Sequence, residues 1–90
     1  MSKRSVIVCD IGGSSARVFG ASLEGGKLML DVLHRFTNKP IPMGPGLYWD
    51  IFAMYEGVIA GIAAAGKGYE SVGIDAFSND FLLLDKTGAI

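Results

Sequence analysis

Short apolar runs separated by glycine-rich turns dominate the first 36 residues of the chain. Three of these runs predict strands, at residues 6–11, 17–23 and 28–36, and the turn Glu24-Gly25-Gly26-Lys27 joins the last two. Strands that are connected by tight turns pair as antiparallel neighbours. The pattern therefore predicts a three-stranded antiparallel sheet at the start of the chain.

From Tyr48 the spacing of apolar residues changes to three and four positions, which predicts a helix. The apolar positions are Tyr48, Ile51, Phe52, Tyr55, Val58, Ile59 and Ile62. We expect Asp50 in the first turn, where the helix dipole favours a carboxylate, and the end of the helix at Gly66. Gly57 and Gly61 lower helix propensity but allow the helix to approach a sheet closely.

Two further regions flank this helix. Residues 37–47 contain three prolines and two glycines, which predict an irregular surface loop. Residues 71–75 predict a fourth strand and residues 81–84 a short fifth one, followed by the turn Asp85-Lys86-Thr87-Gly88. The predicted order is β-β-β-α-β-β, which indicates an α/β fold with a mixed sheet.

A helical crossover allows the fourth strand to lie parallel to the first, with the usual right-handed connection. Asp10 and Asp75 would then lie at neighbouring carboxyl ends of the sheet, where open α/β sheets usually bind ligands. The alternative is that Asp75 only forms a turn or accepts a bond from a helix end.

Asp10 to Arg17 read Asp-Ile-Gly-Gly-Ser-Ser-Ala-Arg, which are the residue types of a phosphate-binding hairpin. Gly12 and Gly13 would turn the chain with positive φ and bring bare N–H groups close to an anion. The two serines that follow can donate to phosphate oxygens, Arg17 offers a charged fork, and Asp10 can hold a hydrated magnesium ion. The alternative is an ordinary β-hairpin turn with exposed serines.

Composition narrows the function classes. Half of the 90 residues are hydrophobic, which indicates an exposed apolar face or an incomplete domain. The net charge of −1 favours neither nucleic acid nor an acidic membrane as a partner. The apolar stretch before Asp10 is too short for a signal peptide or a membrane span, so we expect the cytoplasm. Cys9 is expected to be an inert core thiol.

These features together resemble the ribonuclease H-like ATPase core of sugar kinases, hexokinases, actin and Hsp70 chaperones. More narrowly the chain is similar to the FGGY carbohydrate kinases, and within them to rhamnulokinases. The narrower resemblance depends on motifs at rhamnulokinase-like spacing. They are His34-Arg35-Phe36-x-Asn38, Tyr48-Trp49-Asp50, Val72-Gly73-Ile74-Asp75 and Asp80-Phe81-x-Leu83-Leu84-Asp85.

The resemblance implies a ribonuclease H-like (actin-like ATPase) half-domain that uses ATP and Mg²⁺. Asp10 would help to place the magnesium ion. The positions implied for cofactor binding are Asp10, Gly12, Gly13, Ser14, Ser15, Ala16 and Arg17. Those implied for sugar binding are Phe77, Ser78, Asn79 and Asp80.

Rhamnulokinases usually read Thr-Trp-Gly-Val-Asp where this chain has Ala-Phe-Ser-Asn-Asp at residues 76–80. Phe77 keeps an aromatic face, and Asn79 adds an amide that can bond to hydroxyls. The resemblance therefore implies a ketose or polyol similar to L-rhamnulose and leaves open which sugar is bound. The alternative is that these loop residues do not contact a ligand.

The resemblance spans residues 1–90 and implies the incomplete amino-terminal part of the first domain of a kinase. The general base, a second phosphate loop, the adenosine pocket and a second lobe would lie beyond Ile90, so the chain needs the remainder of the kinase as a partner. By itself it is expected to be inactive. Two alternatives stay open: a stand-alone binding or regulatory module of the same half-fold, and the start of an actin-like or chaperone ATPase.

The other aromatic residues have structural interpretations. His34 has no neighbouring nucleophile in the sequence and is expected to be structural. Trp49 is expected to anchor the start of the helix against the sheet. Tyr48, Phe52 and Tyr55 follow the helical spacing and are expected to pack in the core or against another domain.

Overall fold

The computed structural model describes residues 4–90 as one sheet, one short hairpin and one helix. Within this range the elements are β1 (Arg4–Ile11), β2 (Ser15–Glu24), β3 (Lys27–Thr37), β4 (Pro40–Met43), β5 (Gly46–Trp49), α1 (Ile51–Ala65) and β6 (Val72–Ala76). The described residues include no helix with the length and apolar character needed to cross a bilayer.

The main sheet has the strand order β3-β2-β1-β6. β1 pairs antiparallel with β2, which pairs antiparallel with β3, while β6 lies parallel to β1 on its other side. The predicted antiparallel start and the parallel fourth strand are therefore confirmed. The register places Asp10 opposite Arg17 of β2 and opposite Asp75 of β6.

Helix α1 has a defined cap at each end. The Asp50 carboxylate accepts a hydrogen bond of 3.0 Å from the Ala53 backbone N–H, so Asp50 is the N-cap rather than a first-turn residue. Gly66 ends the helix with a φ of 73°, as predicted. Tyr48 lies in β5 and not in the helix, because the chain stays extended until the N-cap.

The core lies between α1 and one face of the sheet. Val58 of the helix packs against Ile7, Cys9 and Val18 of the sheet. The two helical glycines permit this contact: a Cβ on Gly57 would lie 2.6 Å from the Phe36 ring, and one on Gly61 would lie 2.7 Å from the Val18 Cβ. The predicted close approach of the helix to the sheet at these glycines is confirmed.

Cys9 is fully buried in this core, as predicted. Burial raises the pKa of its thiol, because a thiolate would lose its hydration there. The reactive anion is thus disfavoured at neutral pH, which fits an inert structural thiol.

The prediction of an irregular loop at residues 37–47 is wrong. The segment contains β4 and the start of β5, which pair with Pro40 opposite Trp49 and Met43 opposite Gly46. Gly44 makes the turn with a φ of 57°. Residues two apart in a strand direct their backbone nitrogens to the same side, so Pro40 and Pro42 can both face the free edge of a two-stranded sheet.

The prediction of a fifth strand at residues 81–84 is also wrong. The described chain has no strand there, and Phe81 and Leu83 are 88% and 77% exposed. A strand needs a hydrogen-bonding neighbour, and this segment does not pair with the edge of β6. The predicted turn after it is present, with the Asp85 carboxylate accepting from Thr87 and Ala89.

The sheet face opposite α1 stays uncovered in the described chain, and we call it the open sheet face. Its larger apolar residues are Val6, Val8, Phe19, Leu23, Leu28, Leu30 and Val32. Leu28 and Leu30 are more than half exposed. The exposed apolar face expected from composition is therefore present, and Tyr48, Phe52 and Tyr55 add exposed aromatic surface elsewhere rather than packing in a core.

Candidate functional site

The carboxyl ends of β1 and β6 bring the two groups of candidate residues together. Ile11 at the end of β1 pairs with Ala76 at the end of β6. The phosphate-type hairpin, residues 10–17, leaves the sheet at Ile11, and the segment 77–80 leaves it at Ala76. Parallel pairing thus places both segments at one edge of the sheet, as expected for ligand sites in open α/β sheets.

Asp10 and Arg17 form an ion pair across the base of the hairpin. An Arg17 guanidinium nitrogen lies 3.4 Å from an Asp10 carboxylate oxygen, and the two side chains are 43% and 41% exposed. At that exposure solvent screens the pair, so it adds little to stability. Both charges remain accessible to a ligand.

The tip of the hairpin is held by Asn38, which follows β3. Its side-chain amide donates to the Gly12 carbonyl over 2.7 Å, and its backbone N–H donates to the Ser14 carbonyl over 3.0 Å. Asn38 is buried, although an asparagine is usually exposed. This role has no signal of its own in the sequence, where Asn38 stands out only as part of a family-like motif.

The hairpin turns without the positive φ that was predicted for its glycines. Neither Gly12 nor Gly13 has a positive φ, so that prediction is wrong. Gly12 is needed for space instead, since a Cβ there would lie 2.9 Å from the Ser15 carbonyl oxygen. A Cβ on Gly13 would meet nothing within 4 Å, so this face of the loop is open to a ligand.

The other hairpin candidates differ in their exposure. Ser14 and Ser15 are exposed, and their hydroxyls can reach an anion in solution. Ala16 is buried in β2 opposite Ile11, so its side chain packs in the protein interior. Its side chain is therefore not accessible to a ligand, although the residue lies close to the loop in the sequence. The Arg17 guanidinium also lies 5.3 Å from the centre of the Phe19 ring, which helps to orient it.

A cleft of about 420 Å³ lies beside the hairpin, at the end of β6. Its size is in the range of small-molecule sites, and its lining is mostly apolar with a carboxylate. It is lined by Ile11, Leu47, Tyr48, Trp49, Ile51, Met54, Ala76, Phe77, Asp80, Phe81 and Leu82. Of the four sugar-side candidates, Phe77 and Asp80 line this cleft, whereas Ser78 and Asn79 are exposed outside it.

Trp49 contacts both candidate residues of the cleft, the aromatic Phe77 and the acidic Asp80. Its indole N–H donates to the Asp80 carboxylate over 2.7 Å, and its ring centre lies 4.9 Å from that of Phe77. The sequence predicts that Trp49 anchors the start of the helix against the sheet; in the structure Trp49 lies directly before the N-cap, and its ring packs on Phe77, which follows β6. Its contact with Asp80, 31 positions away, had no signal in the sequence.

The donors present fit magnesium better than a transition metal. Residues 4–90 contain no cluster of three or more histidine, cysteine or acidic side chains that could enclose a metal ion. Magnesium usually keeps several waters and binds one or two carboxylates together with substrate phosphates. Asp10, half exposed beside an open loop and paired in register with Asp75, has a carboxylate that could hold such an ion together with phosphates.

Comparison with known proteins gives consistent relatives. No protein-family model matches the chain. Rhamnulokinase of Oceanobacillus iheyensis is 43% identical over 83 residues, which cover 89% of this chain and 18% of that protein. Rhamnulokinase of Bacteroides thetaiotaomicron is 40% identical over 90 residues, which cover 96% of this chain and 18% of that protein. The Bacillus subtilis rhamnulokinase is 35% identical over 82 residues, which cover 88% of this chain and 17% of that protein.

The chain therefore spans less than a fifth of the length of these relatives, while nearly all of it is matched. This coverage fits an amino-terminal fragment of a longer kinase. The similarity to rhamnulokinases also agrees with the sequence motifs at the hairpin and the cleft. By its sequence the chain belongs to the FGGY carbohydrate kinase family and is rhamnulokinase-like.

Proposed function

We propose that this chain is the first part of an ATP-dependent sugar kinase that phosphorylates a hydroxyl group of a ketose or polyol. The main support is a single juxtaposition. The hairpin that carries Asp10 and Arg17 and the cleft with Phe77 and Asp80 lie at the same edge of the sheet, where Ile11 pairs with Ala76 and both line the cleft. A phosphoryl donor held at the first and a sugar held at the second would be neighbours, as transfer between them requires.

The hairpin is the proposed phosphate side of this site. Asp10 would hold Mg²⁺, which neutralises phosphate charge when ATP is bound. The open loop face at Gly13 and the exposed hydroxyls of Ser14 and Ser15 would approach the phosphate oxygens, with Ala16 as the loop position that returns to the sheet. Arg17 would exchange part of its long contact with Asp10 for a phosphate oxygen.

The cleft is the proposed sugar side. Phe77 offers an aromatic face to the C–H groups of a sugar, and the Asp80 carboxylate accepts from hydroxyls. Ser78 and Asn79 lie on the same exposed segment and would contact the sugar from outside the cleft once it is bound. Because residues 76–79 differ from the usual rhamnulokinase sequence, the substrate is proposed as a ketose or polyol similar to L-rhamnulose.

The chain supplies only part of what phosphoryl transfer needs. We assign residues 1–90 to the amino-terminal part of the first kinase domain, and the general base to the remainder of the protein. Neither Asp75, Asp80 nor Asp85 is assigned that role. The 90-residue chain alone is accordingly inactive in phosphoryl transfer.

The test uses the protein encoded by the complete reading frame that contains this chain. Its intact mass should be several times 9.5 kDa. With ATP and Mg²⁺, one or more members of a panel of ketoses and polyols should stimulate ADP release, and the phosphorylated sugar should be detected by mass spectrometry. Asp10→Asn should lower kcat by about 10²-fold or more, since it removes a group that stabilises transition-state charge.

Three results would contradict the proposal. ATP hydrolysis that no sugar stimulates would favour an actin-like or chaperone-type ATPase. An intact mass of 9.5 kDa together with a stable folded dimer would favour the stand-alone binding module, for which the open sheet face is the supporting feature. Sugar phosphorylation by the isolated 90-residue chain would show that the base lies within it.

A further inference from the structure

We infer that Trp49 is a positioning residue for sugar recognition and that it acts through Asp80. This inference deepens the proposed function and rests on it. The indole N–H of Trp49 holds one carboxylate oxygen of Asp80, which leaves the other oxygen to accept from a hydroxyl of the bound ketose or polyol.

The Trp49–Asp80 contact is a short hydrogen bond to a charged acceptor. The indole nitrogen lies 2.7 Å from Asp80 Oδ2, and indole is a donor only, so the direction of the bond is fixed. Among the described residues no other side chain bonds to the Asp80 carboxylate. Asp80 lies on a segment without helix or strand, so this bond is its main restraint.

Trp49 is itself held by regular structure. It is the last residue of β5, where it pairs with Pro40, and the next residue is the N-cap of α1. Its ring packs at 4.9 Å and 40° against Phe77, which follows the end of β6. A donor fixed by a strand and a helix start can hold in one orientation a carboxylate whose own segment has no regular structure.

The cleft around this contact suits a monosaccharide. Trp49, Phe77 and Asp80 all line it, so two aromatic faces lie beside one carboxylate within about 420 Å³. Sugars present C–H groups on one face and hydroxyls at their edges, and these match aromatic rings and a carboxylate respectively. A preorganised carboxylate discriminates between hydroxyl orientations, because a misplaced hydroxyl leaves it unpaired.

The first test is kinetic and uses the protein encoded by the complete reading frame, with the best sugar of the panel. Trp49→Phe keeps an aromatic ring against Phe77 but removes the donor. We expect KM for the sugar to rise about tenfold, the effect of losing one hydrogen bond to a charged group, while KM for ATP stays unchanged. Tyr55→Phe is the control, since Tyr55 is an exposed aromatic outside the cleft and should change neither constant.

A double-mutant cycle separates positioning from a general structural role. In an Asp80→Ala background, Trp49→Phe should have no further effect on the sugar kcat/KM, because the group that it positions is absent. Additive losses from the two substitutions would overturn the inference. So would an unchanged sugar KM in Trp49→Phe alone.

A measurement independent of turnover separates this inference from the proposed function. The indole N–H proton resonance of Trp49, assigned by its loss in Trp49→Phe, should move upfield in Asp80→Ala. If it does not move, the contact is absent and the inference fails, whatever the enzyme phosphorylates. If it moves but no sugar is phosphorylated by the wild-type protein, the proposed function fails and the role of Trp49 in sugar recognition fails with it.

Discussion

Replacing Gly61 by alanine tests how closely α1 approaches the sheet. The added Cβ would lie 2.7 Å from the Cβ of Val18 and 3.0 Å from its Cγ1, closer than carbon atoms pack. Val18 is fully buried in β2 and is β-branched, so it has little freedom to rotate away. The helix must therefore move outward from the sheet.

The two energetic effects of Gly61→Ala have opposite signs. Alanine is favoured over glycine in a helix interior by about 1 kcal/mol. Overpacking of a core costs about 1–3 kcal/mol, and several short contacts to an immobile neighbour place this site at the upper end. We expect a net loss of about 1–2 kcal/mol in the free energy of unfolding, or a Tm lower by about 4–8 °C per kcal/mol.

The assay is urea unfolding of the 90-residue chain followed by far-ultraviolet circular dichroism. Gly13→Ala is the matched control: its Cβ would meet nothing within 4 Å, so stability should change by less than about 0.5 kcal/mol. In a Val18→Ala background, Gly61→Ala should stabilise, because the obstructing methyl groups are gone and the helix propensity remains. Equal or greater stability of Gly61→Ala in the wild-type background would refute the close approach.

Three further predictions concern the hairpin and the core. In the protein encoded by the complete reading frame, the proposed phosphate role predicts that Arg17→Gln raises KM for MgATP about tenfold, while Arg4→Gln, which also breaks an exposed ion pair, leaves it unchanged; equal effects in the two variants would contradict that role. Asn38→Ala should cost about 1–3 kcal/mol in urea unfolding, because it leaves the Gly12 carbonyl without its bond, and should speed amide exchange in the hairpin. Cys9 should react with a thiol reagent only upon unfolding. Because burial raises the pKa of Cys9, the unfolded state releases the proton first, so stability should fall as pH rises through the ordinary thiol range, and Cys9→Ala should remove that part of the pH dependence.

The antiparallel start, the helix and the parallel strand could be predicted because their signals are local or follow from connectivity. Tight turns fix the antiparallel pairing of β1 with β2 and of β2 with β3. The length of the helix allows the crossover that aligns Asp10 with Asp75. The spacing of Gly57 and Gly61 indicated a close helix–sheet contact before the partners were known.

The predictions that are wrong or missing share a physical cause: the structure of each segment depends on another segment with which it pairs or fails to pair. Proline content argued against strands at residues 37–47, yet a hairpin with free edges tolerates proline where no N–H is needed. The apolar run at 81–84 indicated burial, but in the described chain no strand pairs with it. Likewise the contacts of Asn38 with Gly12 and of Trp49 with Asp80 join residues 26 and 31 positions apart, a separation beyond any local pattern.

The open sheet face has a thermodynamic consequence for the chain. Whatever covers this face binds the folded sheet and not the unfolded chain, so its binding free energy adds to the stability of the fold by mass action. Formation of the sheet and coverage of Leu28, Leu30 and their neighbours are then linked equilibria. A surface that covers this face would accordingly raise the stability of residues 4–90 in proportion to the logarithm of its concentration.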